Sequence, residues 1–217
     1  SLIPSIATMF DSPYAMTAEN IFSIPMSDSD KSGSQAHPVG FVYHGAGQIT
    51  CVNEINGIQT LYGVDEDARS GFIFHDTKGY TYCEKFNEYS TRLEWIPIFR
   101  YAEILLNLAE SYYRVGDEQN AIACLKQVRT RSISESADKL VSYKETGEAL
   151  WSAIDNERRW EFLGEGMRGY DISRRAEDYR HPLTGGGWEV VAKAADHTTY
   201  CWAFPLYETT VNNALDN

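Results

Sequence analysis

The stretch Asn156-Glu157-Arg158-Arg159-Trp160-Glu161-Phe162-Leu163-Gly164-Glu165-Gly166-Met167-Arg168-Gly169-Tyr170-Asp171-Ile172-Ser173-Arg174-Arg175 packs charge, aromatic rings and glycine more densely than any other part of the 217-residue chain. Read as a helix, it sets Glu157, Glu161 and Glu165 four apart on one face, with Arg158 and Phe162 one step round. Gly164 and Gly166 weaken that helix, because glycine costs about 1 kcal/mol per helical position. Arg168, Asp171, Arg174 and Arg175 then suit a second helical turn or two. Two chemistries use such residues: a carboxylate pair for glycoside hydrolysis, and an ion-pair network between two helices. Catalytic carboxylates usually come from separate elements facing a cleft. Here every carboxylate has an arginine within about a turn, which holds its pKa low and makes it a poor general acid. The ion-pair network is the favoured reading.

Upstream, residues 97–116 read as the clearest helix. Pro97 stands where a missing N–H costs nothing. Tyr101, Leu105, Leu108 and Tyr112 make a stripe, widened by Ala102, Leu106, Ala109 and Tyr113. Gly116 suits the left-handed residue that closes a helix. Asp117 suits the cap of the next helix, which runs to about Arg131 with Ala121, Ile122, Leu125 and Val128 inward. The pair has the spacings of one tetratricopeptide repeat (Ala109, Tyr112, Gly116, Ala121, Val128). One such repeat cannot bury its own face, so it must pack on the later helices or on an array outside this chain. A Ser/Lys/Asp linker over 132–144 precedes a helix from about Glu145 to Leu163, with Leu150, Ile154 and Phe162 inward. Arg180 to Gly187 reads as a turn region ending on Trp188.

The first 95 residues differ in character. Residues 1–20 read as extended or loosely helical, Asn20–Ile24 as a short buried strand, and 25–40 as a loop rich in Ser, Asp and Gly. Residues 41–95 show no strong helical period and predict short strands, turns and one short helix. Asp65-Glu66-Asp67-Ala68-Arg69 reads as an acidic loop paired to its arginine; the full ligand spacing of a calcium loop is missing.

Composition narrows the function classes. A net charge of -12 argues against nucleic acid as main partner and against docking on anionic lipid. Aromatic residues make up 13% of the chain, and tyrosine and tryptophan suit sugar faces as well as protein interfaces. Cys51, Cys83, Cys124 and Cys201 lack zinc or redox spacing. Cys124, on an apolar helical face, reads as an inert core thiol. His37, His44, His75, His181 and His197 lack metal-ligand spacing, so no structural zinc and no cofactor are expected. No apolar run is long enough to span a bilayer.

The opening stretch resembles the C-terminal signature of the SusD/RagB family, in which a Glu-Arg pair, a Glu, a Glu-Gly, an Arg and an Asp-x-x-Arg recur in this order. The matching residues are Glu157, Arg158, Glu161, Glu165, Gly166, Arg168, Asp171 and Arg174. Arg100-Tyr101-Ala102-Glu103-Ile104-Leu105-Leu106 with Ala109-Glu110 resembles the family's "R-Y-A-E-x-L-L-x-x-A-E" segment. Phe204-Pro205-Leu206-Tyr207-Glu208, followed by Asn212 and Leu215, resembles its terminal "I-P-x-x-E", departing at Ala214 where proline often stands. Glu19 with Ile21–Ile24, Asp67 with Arg69, and Lys85-Phe86 resemble shorter family segments. The resemblance covers about residues 95–217 well and 19–90 weakly.

The resemblance implies a mainly α fold: a tetratricopeptide-like helix pair (96–131) and C-terminal signature helices with a tail (145–217). An irregular, loop-rich region with short β-strands (1–95) completes a single C-terminal SusD-like domain over 1–217. It implies a non-enzymatic protein that binds oligosaccharides or polysaccharides for a SusC-like TonB-dependent transporter. The setting would be the extracellular face of the outer membrane in Bacteroidetes. The chain opens on Ser1-Leu2-Ile3-Pro4, so the signal, the lipidated cysteine and several helical repeats would belong to an N-terminal half absent from it. Glycan-contacting positions are not motif-defined in the family. The candidates come from composition: Tyr43, Tyr62, Tyr80, Tyr82 and Trp188, all in expected loops. A transporter-docking module that binds no glycan of its own and a glycoside hydrolase are the alternatives.

Overall fold

A computed structural model describes residues 1–10, 17–31, 39–45, 67–78, 81–87, 91, 93–134, 138, 143–182, 188–192, 205, 207 and 211. The fold is mainly helical with short β-strands, in two compact units, Ser1–Glu165 and Gly166–Asn217.

In the first unit, β1 (Asn20–Ile24) pairs antiparallel with β4 (Ile96–Arg100), setting Phe22 opposite Phe99 and Ser23 opposite Pro97. β1 forms where expected, but it is not buried: Ile21, Phe22 and Ile24 face outward, Phe22 at 54% exposure. A two-stranded ribbon has only one face to give to a core. β2 (Ile73–His75) and β3 (Thr81–Cys83) form a second antiparallel ribbon, led into by a 3-10 turn at Ala68–Phe72.

Helix α1 covers Tyr101–Arg114 rather than 97–116. Pro97 sits in β4, not in a first helical turn. Proline's fixed φ and missing N–H suit an edge strand as well as a helix start. The buried face of α1 is Ala102, Leu105, Leu106 and Ala109, while Leu108, placed inward by the sequence stripe, is 41% exposed. The small residues let helix α2 (Glu118–Ser132) approach. Gly116 closes α1 at φ 81°, and the Asp117 carboxylate accepts from the Asn120 N–H to start α2. Ala121, Leu125 and Val128 face inward; Ile122 is only half-buried.

Helix α3 (Gly147–Glu161) follows its N-cap Thr146, starts two residues later than Glu145, and turns Leu150 and Ile154 into the core against α1 and α2. The helix pair thus packs on a later helix. Phe162 is buried just beyond its end. Ile3, Ile6, Met9, Phe10, Phe72 and Phe86 form a further buried cluster, with Val39, Tyr43 and Ile96 packed against it. In it the Phe10 ring meets Phe72 and Phe86 edge-on at 5.6 and 5.4 Å.

The second unit holds α4 (Met167–Arg175), entered from Gly166 at φ 77°, and an antiparallel hairpin of β5 (Tyr179–Pro182) and β6 (Trp188–Ala192). Part of the expected turn region at 180–187 is therefore strand. Arg180, His181 and Pro182 pair with Val190, Glu189 and Trp188. The Gly185–Gly187 run, and Asn212, Ala214 and Leu215 of the C-terminal match, lie outside the described residues.

Candidate functional site

The acidic face of the signature is real, but it faces inward. Glu157 and Glu161 on α3 are fully buried, as is Glu19 just before β1. Arg69 donates through Nη1 to Glu157 Oε1 at 2.6 Å and to Glu161 Oε2 at 3.3 Å, and through Nη2 to Asp67 Oδ2 at 2.7 Å. Arg129 Nε donates to Glu157 Oε2 at 3.1 Å. Arg100, at the junction of β4 and α1, reaches Glu19 at 2.8 Å, Glu161 at 2.5 Å and Glu165 at 2.8 Å. Arg131 bonds Glu19 at 2.8 Å and also Glu161. Lys85 Nζ donates to Glu165 Oε1 and to the Glu161 carbonyl, each at 2.7 Å. Five carboxylates (Glu19, Asp67, Glu157, Glu161, Glu165) thus meet five cations (Arg69, Lys85, Arg100, Arg129, Arg131), and their formal charges cancel.

Burial by itself would push Glu161 up; instead Arg100, Arg131, Arg69 and Lys85 hold it far below the usual carboxylate range. Glu165 is likewise pushed up by burial and held lower by Arg100 and Lys85. Burial lowers the Lys85 ammonium, against the pull of Glu165. Carboxylates in this state are poor proton donors at neutral pH. They are also enclosed, which is the geometry of a structural hub.

The hub's partners are not the arginines beside the glutamates in sequence. Arg158 turns away to donate to Asn107 Oδ1 at 2.7 Å, over the Phe162 ring. Only Glu157 and Glu161 share a face of α3; the helix ends at Glu161, and Glu165 follows in the turn before Gly166, so the expected three-glutamate helix face is not formed. In the second unit Arg174 bonds Asp171 at 2.7 Å, and Arg168 lies 3.5 Å from Glu177. Sequence reasoning missed Arg129 and Arg131, because arginines in a last helical turn ordinarily read as solvated. The acidic loop reading of Asp67 with Arg69 holds, and Lys85-Phe86 contributes Lys85 to the hub and Phe86 to the core. Asp65 and Glu66 lie outside the described residues.

The hub also grips the base of the β2–β3 ribbon, through Arg69 before β2 and Lys85 after β3, which flank the same end of the antiparallel pair. On that ribbon Tyr82 is half-buried, stacks on Phe74 with ring centroids 6.4 Å apart, and places its hydroxyl 3.5 Å from Asp76 Oδ2. Phe74 and Asp76 were not singled out by the sequence; the alternation Phe72-Ile73-Phe74 was the available signal. Tyr43 is half-buried, donates its hydroxyl to the Gly164 carbonyl at 3.1 Å and stacks on Phe86. Tyr62, Tyr80 and the Trp188 side chain lie outside the described residues, as do Cys51 and Cys201. Cys83 and Cys124 are buried, and burial raises the Cys124 pKa. Among the described residues no group of His, Cys, Asp and Glu is arranged to hold a metal ion, and no helix is long and apolar enough to cross a membrane.

A sequence model of the SusD family matches residues 47–214. No curated protein matches the chain. The chain is similar to a SusD superfamily protein of known structure from Bacteroides fragilis, at 36% identity and a TM-score of 0.80, covering 98% of this chain and 48% of that one. It is similar in fold to a SusD superfamily protein from Bacteroides thetaiotaomicron (20% identity, TM-score 0.67, 88% and 44% covered). Surface glycan-binding protein A from the same species is a further fold relative (22% identity, TM-score 0.57, 86% and 49% covered). The chain spans about half the length of these solved relatives.

Proposed function

The chain belongs to the SusD family, and from that premise we propose that it binds oligosaccharides or polysaccharides at a bacterial cell surface, without cleaving them, and presents them to a SusC-like TonB-dependent transporter. The family match over residues 47–214 carries this reading. The name of surface glycan-binding protein A, a fold relative, agrees with it. The chemistry of the chain supports it from another side. Of the carboxylates that would serve a hydrolase, Glu161 and Glu165 are held ionised by buried cations, whereas the rings of Phe74 and Tyr82 stand on a ribbon. Binding of this kind stacks flat rings on sugar C–H faces and uses a few polar groups for orientation.

Tyr43, Tyr62, Tyr80, Tyr82 and Trp188 are the proposed contacts. Tyr82 leads them, because its ring stands on a ribbon whose base is held by the hub. The proposed setting is the outer face of the outer membrane, with attachment through a lipid anchor. The second reading, a docking module for the transporter, is favoured by the outward apolar residues Ile21, Phe22, Ile98 and Phe99 of the β1–β4 ribbon.

Native electrophoresis of the chain through gels with and without dissolved plant or host polysaccharides tests the proposal. Retardation by at least one polysaccharide, with no new reducing ends released from it, is the expected result. Equal mobility across a broad panel, with capture of the transporter from solubilised outer membranes, would replace glycan binding by docking.

A further inference from the structure

The β2–β3 ribbon is three residues long on each side, and its register fixes which side chains share a face: Ile73 stands opposite Cys83, Phe74 opposite Tyr82, and His75 opposite Thr81. Side chains alternate along a strand. Cys83 is fully buried and Ile73 half-buried, so their face is the inner one. Phe74 and Tyr82 occupy the other face, where Phe74 is 38% exposed. The rings lie 6.4 Å apart and 26° from parallel. At its edge the Asp76 carboxylate approaches the Tyr82 hydroxyl at 3.5 Å, and its Oδ1 is fixed by the Lys78 N–H at 2.9 Å.

The ribbon is fixed rather than free. The Glu84 N–H donates to the Phe72 carbonyl at 2.8 Å, extending the ladder beyond the strands. Asp67 accepts from the Arg69 N–H at 2.9 Å and caps the turn leading in. Arg69 and Lys85 then tie this same end of the ribbon to the buried glutamates. A preorganised pair of rings loses little entropy when a ligand lands on it.

From this geometry we infer that Phe74 and Tyr82 form a two-ring platform for a neutral pyranose unit, with Asp76 accepting hydrogen bonds from its hydroxyls. The inference rests on the glycan-binding reading and specifies it. A flat aromatic pair matches a sugar ring whose C–H bonds line one face. A carboxylate takes the hydroxyl donors of a neutral sugar but repels the carboxylate of a uronic acid or a sulfate ester. The chain's net charge of -12 acts in the same direction.

The test is native electrophoresis of the whole chain in gels containing barley β-glucan, xyloglucan or galactomannan, and in parallel gels containing polygalacturonate or chondroitin sulfate. F74A and Y82A are expected to weaken retardation in the neutral gels at least about tenfold, as loss of a central aromatic contact does. F74L and Y82L keep apolar bulk on the strands but lose the flat face, so they should show the same loss. Y82F, which keeps the ring, should stay within about threefold of wild type. Circular dichroism identifies any variant that fails to fold, and the leucine pair then decides. Wild-type retardation that survives all four ring-removing variants would overturn the platform and leave glycan binding standing. Retardation in the acidic gels alone would overturn the neutral-sugar assignment. Unaltered wild-type mobility in every gel would overturn the glycan-binding reading, and the platform with it.

Discussion

Lys85 and Glu165 are 80 residues apart in the chain and 2.7 Å apart in the fold, with the lysine completely enclosed. Lys85 also lies over the rings of Phe10 and Phe72, at 5.1 and 5.4 Å from their centroids. One ammonium therefore joins the signature glutamates to the aromatic cluster of the first residues. A buried ion pair of this kind contributes little net stability relative to apolar residues, yet removing one partner strands the other.

K85M, E165Q and the double variant should form a strongly non-additive set. Each single change is expected to cost about 2–4 kcal/mol in urea denaturation, with a coupling of about 1–3 kcal/mol in the cycle. Additive single effects would show that the pair does not act as a unit.

Acid should unfold the protein by way of the hub. Glu161 and Glu165 have folded-state pKa values below those of the unfolded chain, despite the opposing effect of burial. The unfolded state therefore binds more protons as acidity rises. The stability these groups contribute is fully present above the ordinary glutamate pKa of about 4.3 and is lost as pH falls through their depressed folded values. The urea midpoint should hold steady from neutrality to about pH 5 and then drop. The overall charge of -12 acts the other way, because its neutralisation would relieve repulsion. Constant or rising stability down to pH 3 would remove the hub from this role.

Gly164 carries a double constraint. Its φ is 79°, and an added Cβ would stand 2.8 Å from the Cys83 sulfur. Gly116 has a similar φ of 81° with open space around it. G116A should cost about 1 kcal/mol, the backbone penalty alone, whereas G164A should cost about 1–3 kcal/mol more. C83A should recover part of the difference in the G164A background and none in the G116A background. Equal costs at the two glycines would contradict the close packing of Gly164 on β3.

Local features of this fold were legible in the sequence, and long-range ones were not. Gly116 and Asp117 announced the turn between α1 and α2 because left-handed closure and capping are chemistry of one or two residues. Pro97 misled because its strand partner, Ser23, lies far away in sequence. The inward set on α1 kept Ala102, Leu105, Leu106 and Ala109 of the sequence stripe and lost Leu108, since close approach of α2 selects the face with the smallest residues. Glu157 and Glu161 were visible as one helix face, Glu165 falls in the turn beyond it, and the cations of all three come from Arg69, Lys85, Arg100, Arg129 and Arg131 on other elements. Tyr82 was recognisable as a candidate by type alone. Its partnership with Phe74 needed the register of the ribbon.

The most direct measurement of glycan recognition by surface aromatics is saturation-transfer difference NMR on the wild-type chain mixed with neutral oligosaccharides, irradiating the aromatic protons. Saturation should reach the C–H protons of one sugar face and disappear in the F74A/Y82A double variant. No transfer to any neutral oligosaccharide, or undiminished transfer in the double variant, would contradict recognition through this ribbon.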